Sequence, residues 1–398
     1  MTICIVHNFY QAPGGEDQVY AAEAALLEAR GHRVIRYTAH NDAVDGMSRA
    51  TLAKNTLWNG ERYRELRALF RRECPEVVHF HNTLPLVSPA AYYAAHAEGA
   101  AVVQTLHNFR LLCPRAILYR DGRVCEDCLP RTFAWPGVRH ACYRGSRPAT
   151  AMVAAMVSAH RLAGTWAKRV DVYVALTEFT REKHIEGGLN EEQIAVKPNF
   201  VFPDPGWGRH EGRFALFVGR LEEEKGIGLL LDAWARKRPH IPLKIIGAGE
   251  GTERVAQAST ALPDVEYLGR QPRHMVLEHM KNAAFLIFPS TWYEGFPMTI
   301  VEAYATGLPV IASDLGSMST LVRNRQTGLH FDPGSVEDLV RKIEWAWAHE
   351  EEVAAMGRVA RETFEGRYTA ERNYEMLMKI YDQAKERRRR CSGRERHG

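Results

Sequence analysis

The chain has 398 residues, 45% of them apolar and 25% charged, with a formal net charge of +4. That length suits two α/β domains of about 150–200 residues each better than one, and the composition excludes a disordered or fibrous chain. So small a net charge does not by itself imply nucleic acid, and seven cysteines, an odd number, argue against a secreted disulfide scaffold.

The first predicted strand, residues 3–6, starts at once, with no basic stretch or cleavage site of a secretory signal before it. The expected location is therefore the cytoplasm. Pro13-Gly14-Gly15-Glu16 follows as a glycine-rich turn, without the spacing of the dinucleotide fingerprint G-x-G-x-x-G. Val19, Tyr20, Glu23, Leu26 and Leu27 then give helical spacing, with Gly31 as the C-terminal glycine. Further strands are predicted at 34–37, 77–80, 102–105 and 172–176. Between the second and third of these, Arg62, Arg64, Arg67, Arg71 and Arg72 fall on a helix before Pro75. The longest small-apolar run, residues 149–159, is well short of the about 20 residues of a membrane span.

Residues 198–212 hold Pro198, Pro203, Pro205, Gly206, Gly208 and Gly212, and read as an interdomain linker. The alternation then restarts, with strands predicted at 214–218, 243–246, 265–268, 285–288 and 310–313, and a helical pattern from 336 to about 386. The tail carries Lys385, Arg387, Arg388, Arg389, Arg390, Arg394 and Arg396 against Glu386 and Glu395. With the arginine-rich helix, it suggests either a solvated surface or attraction to an anionic membrane, at about 1 kcal/mol per basic residue. The expected fold is α/β: two Rossmann-like, doubly wound domains facing across a cleft. Ligands would bind there, beyond the carboxyl ends of the strands. The expected divisions are residues 1–200, with a cysteine-containing insertion at 107–145, then 201–367, then a C-terminal segment at 368–398.

The segment after the strand at 285–288 carries the strongest chemical signal. It runs Pro289-Ser290-Thr291-Trp292-Tyr293-Glu294-Gly295-Phe296-Pro297-Met298-Thr299, with Glu302 further on. Pro297 suits the first position of a helix, and Gly307 with Pro309 suits its end. Free amides at Met298 and Thr299 would then face an anion. Glu294 and Glu302 are better suited to accept hydrogen bonds from hydroxyls, as on a sugar and a ribose. The bland alternative is a pair of solvated glutamates.

A second signal, Gly219-Arg220-Leu221-Glu222-Glu223-Glu224-Lys225-Gly226, follows the strand at 214–218. Arg220 and Lys225 would place two cations where a diphosphate leaves. In the first half, His107-Asn108 lies at another carboxyl end. The chain has no Asp-x-Asp, the pairing by which a transferase commonly holds a divalent metal on a diphosphate. No catalytic cofactor is therefore expected.

These residues, with Gly247-Ala248-Gly249, resemble the retaining glycosyltransferases of family 4, of GT-B fold, over nearly the whole chain. The resemblance implies that Arg220 and Lys225 bind the donor diphosphate, that Glu294 holds hydroxyls of the transferred sugar, and that the Met298 and Thr299 amides take the phosphate. It further implies Glu302 on the ribose, Gly15 near the phosphate, His107 near the reacting carbon, and Arg270-Gln271 beside the base. Front-face attack, with the leaving phosphate taking the acceptor's proton, needs no protein nucleophile. The implied partners are a nucleotide sugar, UDP- or GDP-linked, and a glycan or lipid-linked acceptor of cell-surface polysaccharide synthesis. The last helix, around 368–385, would cross back to the first domain.

Within the insertion, Leu112-Cys113-Pro114 followed by Cys125-x2-Cys128 resembles a subset of these transferases. With Cys142 there are four thiols, enough for a tetrahedral structural zinc; four reduced thiols packing a loop are the alternative. Two competing classes lack their own signatures: an epimerase would place its acids and histidines otherwise, and a phosphorylase needs a cofactor lysine. A non-catalytic nucleotide-binding scaffold docking at membranes remains. Replacing Glu294 with Ala separates it from an enzyme, which alone would lose turnover.

Overall fold

A computed structural model of the chain describes residues 1–11, 14–237 and 239–395. Pro13 of the glycine turn, Arg396 and the Arg394 side chain lie outside the described part. The chain divides into two compact units. Met1–Leu118, Cys125–Asn199 and Asn373–Gly398 form the first; Tyr119–Val124 and Phe200–Arg372 form the second.

The first unit holds six parallel strands, in the order Arg33–His40, Thr2–Phe9, Val77–Phe80, Ala101–Leu106, Val172–Ala175 and Ile194–Val196. Its central strands are apolar runs because helices cover both faces; Ile3, Cys4, Ile5 and Val6 are all 0% exposed. Several strands run past the apolar stretch that predicted them, through polar residues at the carboxyl end such as Asn8 and His40. The helix Gly15–Ala29 buries Val19, Tyr20, Leu26 and Leu27 and stops before Gly31, whose φ of +79° is left-handed. The helix Ala370–Glu395 packs Leu377, Ile380, Tyr381 and Ala384 into the same core as Ile3, Ile5 and Tyr20.

The second unit also has six parallel strands, ordered Val265–Tyr267, Leu243–Ile246, Ala215–Val218, Phe285–Phe288, Val310–Ser313 and Gly328–Phe331. Counted within the unit this is 3-2-1-4-5-6, the doubly wound order. The turn of direction falls between Ala215–Val218 and Phe285–Phe288, so the loops leaving these two strands are neighbours. That topology brings the two strongest sequence signals together. Two edge strands, Ile194–Val196 and Gly328–Phe331, escape the apolar pattern because they are only three and four residues long, the second broken by His330.

The units divide at Asn199/Phe200, inside the expected linker at 198–212, and its later part straps the second unit. The Gly208 and Gly212 amides donate to the carbonyls of Thr306 and Asn282 at 2.9 and 2.8 Å. His210 sets one ring nitrogen 3.0 Å from the Ala283 carbonyl and the other 3.0 Å from that of Thr306. A Cβ on Gly208 would come within 2.5 Å of the Lys281 backbone, so glycine there serves close packing, not flexibility.

The arginine-rich helix Gly60–Glu73 offers less free charge than its sequence suggests. Arg67 and Arg71 share Glu98, Arg62 pairs with Glu65, and Arg72 pairs with Glu73. In the tail, Lys385 pairs with Asp382 and Arg390 with Glu386, while Arg387 and Arg388 donate to backbone carbonyls. Among the described residues, no helix is long and apolar enough to cross a membrane.

Candidate active site

Glycines bring the two loops of the second unit into contact. Gly226 sits at φ +75°, and a Cβ on it would lie 1.9 Å from the Pro289 carbonyl oxygen. No side chain fits there. Across this contact the Thr291 amide donates to the Glu224 carbonyl at 2.9 Å. Lys225 thereby reaches Glu294: its Nζ is 2.7 Å from Oε1 and lies over the Trp292 ring at 5.2 Å. The same oxygen accepts from Ser290 Oγ at 2.7 Å and Trp292 Nε1 at 2.9 Å. Three donors hold one oxygen of a carboxylate that is only 5% exposed. Its Oε2 has no partner among the described residues, so one acceptor atom is fixed in place and available.

The helix Met298–Thr306 starts beside this carboxylate. Pro297 is its N-cap, not its first residue, a shift of one position, because its ψ of 91° is extended. Ile300, Val301 and Tyr304 are 0% exposed and anchor the helix at about 1.5–3 kcal/mol each. The amides of Met298 and Thr299, in its first turn, have no carbonyl of the preceding turn to bond. Glu302 lies further along this helix, and its Oε1 accepts from Arg273 Nε at 3.0 Å, a partner that sequence reasoning missed. Burial raises the Glu302 carboxyl above the usual range, and Arg273 opposes that.

Arg220 is exposed and turns onto Glu222 at 2.7 Å. Burial raises the Glu222 carboxyl, with Arg220 acting against it. Gly247 and Gly249, expected at the donor, are also required by packing. A Cβ on Gly247 would lie 1.8 Å from the Gly219 carbonyl oxygen, and one on Gly249 within 3.0 Å of the Leu221 backbone. Both seat the Arg220 loop. Gln271 donates to the Leu268 carbonyl at 2.6 Å, and Arg270 is exposed. One residue of the insertion also belongs here: Tyr119 Oη is 3.2 Å from Thr291 Oγ1.

At the carboxyl end of the first sheet, Gly14 caps the helix and donates its amide to Asp17 at 2.7 Å. A Cβ on Gly14 or Gly15 would meet nothing within 4 Å, so packing does not require either glycine. His107 Nε2 lies 3.0 Å from His81 Nδ1, and His81 Nε2 lies 3.3 Å from Glu23 Oε2. Glu23 Oε1 in turn meets Lys197 Nζ at 2.5 Å. Glu23 stands on the apolar face of its helix, a charge out of pattern whose partner lies 174 residues on. Burial pushes the Glu23 carboxyl up, but Lys197 and then His81 overcome this and hold it well below the carboxylate range. Burial lowers His79, His81 and His107, leaving each imidazole neutral at pH 7.

Among the described residues, Glu23, His79 and His81 bring three potential metal-ligand atoms within 4.8 Å of one another. Lys197 already supplies the cation, and His79 is held by Tyr381 Oη at 2.9 Å and Thr105 Oγ1 at 2.7 Å. Cys113 and Cys128 are buried and Cys125 and Cys142 half-buried, none of them in a disulfide. Burial pushes Cys128 up to about 12, and Cys113, Cys125 and Cys142 are near enough to add to the shift.

Two family models match the chain: "Glycosyl transferases group 1" over residues 206–363 and "Glycosyltransferase Family 4" over residues 13–204. Among curated relatives, a lipopolysaccharide 1,6-galactosyltransferase of Salmonella typhimurium is 30% identical over 184 residues, 43% of this chain and 50% of that protein. A phosphatidyl-myo-inositol mannosyltransferase of Mycobacterium tuberculosis is 32% identical over 178 residues, 42% of this chain and 46% of that one. The matches thus span about half the length of the curated relatives. Among solved structures, Anabaena HepE in complex with UDP superposes with a TM-score of 0.69 at 17% identity, covering 96% of this chain and 100% of that one. A glycosyltransferase from Rickettsia africae gives 0.71 at 16%, covering 96% and 98%. The fold is GT-B: two α/β domains, each with a parallel sheet.

Proposed function

Because this chain belongs to the group 1, family 4 glycosyltransferases, matched by their two models between residues 13 and 363, we propose that it transfers a hexose. The donor is a UDP- or GDP-sugar, and the acceptor a glycan or lipid-linked molecule of cell-surface polysaccharide synthesis. One observation carries this reading: Lys225 fixes Glu294 at 2.7 Å beside a helix start with free amides, at the switch point of a doubly wound sheet.

Arg220 and Lys225 take the diphosphate, together with the Met298 and Thr299 amides. Glu294 Oε2 accepts from a hydroxyl of the sugar. Glu302 keeps Oε2 for the ribose while Oε1 stays on Arg273, and the Arg270-Gln271 turn lies by the base. As the bond from the sugar's anomeric carbon to the β-phosphate oxygen breaks, its electron pair goes to that oxygen, and the two cations stabilise the charge. The acceptor oxygen bonds to the same carbon from the same face and gives its proton to the leaving phosphate, so configuration is retained. This role for the cations makes the transfer independent of divalent metal. His107, neutral through burial, contributes a hydrogen bond, not a charge.

The test is release of nucleoside diphosphate by EDTA-treated protein across UDP-, GDP- and ADP-sugars, with Glu294→Ala alongside. Release from one donor, reduced about 10²–10³-fold in the folded variant, is the expected result. Donor binding that survives in the variant with no turnover from either protein would favour the scaffold reading. An inverted anomeric signal in the product's NMR spectrum would refute retention.

For the insertion we propose one structural zinc on Cys113, Cys125, Cys128 and Cys142. Cys113, Cys125 and Cys142 all act electrostatically on Cys128; four thiols would make a tetrahedral donor set, and binding would convert them to thiolates. One zinc per chain by elemental analysis, lost in Cys125→Ser/Cys128→Ser, is expected. A metal-free protein of undiminished stability would refute it.

A further inference from the structure

A cavity of about 130 Å³ opens beside His107 in the first unit. Leu84, Leu111, Met152 and Met156 make its wall apolar, while Arg110 and Arg144 line it with charge. Both guanidinium groups lie against one ring, their central carbons 5.0 and 5.6 Å from the centre of Tyr143. Among the described residues neither has a carboxylate ion-pair partner; the polar contact of Arg110 is the Pro114 carbonyl. Arg144 is exposed and held at φ +54°, in the left-handed region that a residue with a side chain rarely adopts.

Two like charges gathered on one ring repel each other unless an anion joins them. The other charged and titratable groups nearby do not cancel this pair. Glu16 is drawn toward Arg110, but it also bonds Tyr10 and Asn108, and burial pushes its carboxyl up to about 7. His81 and His107 are neutral through burial.

We propose that this cavity takes the acceptor by a phosphate ester: Arg110 and Arg144 hold the phosphate oxygens, and the first carbons of an apolar chain lie on Leu84, Leu111, Met152 and Met156. The inference rests on the transferase reading and narrows its acceptor to a phosphorylated lipid. Arginine suits this task because its fork donates to two oxygens at once.

Calorimetric titration of the full chain with geranyl phosphate, geraniol and inorganic phosphate tests it, with UDP and GDP titrated separately. Geranyl phosphate is expected to bind at least tenfold more tightly than either of the others. Arg110→Ala/Arg144→Ala should lose at least tenfold of that affinity while its circular dichroism and UDP affinity stay unchanged. Should the double variant unfold, the exposed single change Arg144→Glu serves, with the same loss expected. Geraniol binding as tightly would overturn the phosphate site, and inorganic phosphate binding as tightly would overturn the apolar one. Unchanged affinity in a folded variant would overturn both. Geranyl phosphate binding without binding of either UDP or GDP would leave the cavity standing and sink the transferase reading instead.

Discussion

Both sheets reverse direction beside their first strand, yet the two units hold charge there in opposite ways. In the second unit, Lys225 and Glu294 stand on loops and meet at the surface end of the sheet, with side chains 17% and 7% exposed. In the first, Lys197 and Glu23 meet inside the core at 0% and 1%, and three imidazoles around them are kept neutral. A pair on loops can exchange partners with a ligand, because solvent shares the cost of separating it. A core pair has no such replacement, so it serves position and stability. The glycines repeat the contrast. Gly226 is demanded by the protein's own backbone, whereas Gly15 has open space around it, as a site for close approach of a ligand requires.

Replacing Lys197 should break this comparison most visibly. Lys197→Met leaves Glu23 charged and buried, and is expected to lower stability by about 3–5 kcal/mol in urea denaturation. Lys225→Met, which removes one hydrogen bond at a loop, should cost about 1 kcal/mol. Equal losses would erase the distinction. Lys197→Met/Glu23→Leu should recover most of the first loss.

Acid comes next. Burial pushes His184 down to about 4, and it lowers His79, His81 and His107. Below the ordinary histidine value of about 6.5 the unfolded chain binds protons that the folded first unit refuses, so stability must fall as pH falls. His184 alone accounts for a loss of about 3 kcal/mol that builds between about pH 6.5 and 4. Stability that stays level across that range would show these imidazoles to be protonated in place.

The glycine contrast predicts smaller effects. Gly226→Ala should cost about 1–3 kcal/mol through strain at positive φ, plus the clash with Pro289. Gly15→Ala should stay within about 0.5 kcal/mol and show itself, if at all, in donor KM. A destabilised Gly15→Ala would mean that the turn is structural.

Long apolar runs were legible, and so were the loop signals. The strands at 77–80, 243–246, 285–288 and 310–313 stand where their apolar residues placed them, since a strand buried on both faces has no polar position to blur it. Glu294 was conspicuous for the dense loop around it. Arg273 on Glu302 and Tyr119 on Thr291 were not, because each pairing joins separate elements, 29 and 172 residues apart in the chain. Glu23 carried a readable signal, a charge on an apolar stripe, but nothing local names Lys197 as its partner.

By itself, the sequence determined the two α/β halves, the glycine-bounded loops and the residues able to meet a phosphate or a sugar hydroxyl, because periodicity, turn chemistry and side-chain type are local properties. Only the tertiary structure decided which charges meet. Strand order brings the loops of Lys225 and Glu294 together, ion pairs occupy most of the arginine-rich helix, and burial neutralises the histidines. Charge pairing and desolvation depend on distance in space, which separation along the chain does not encode.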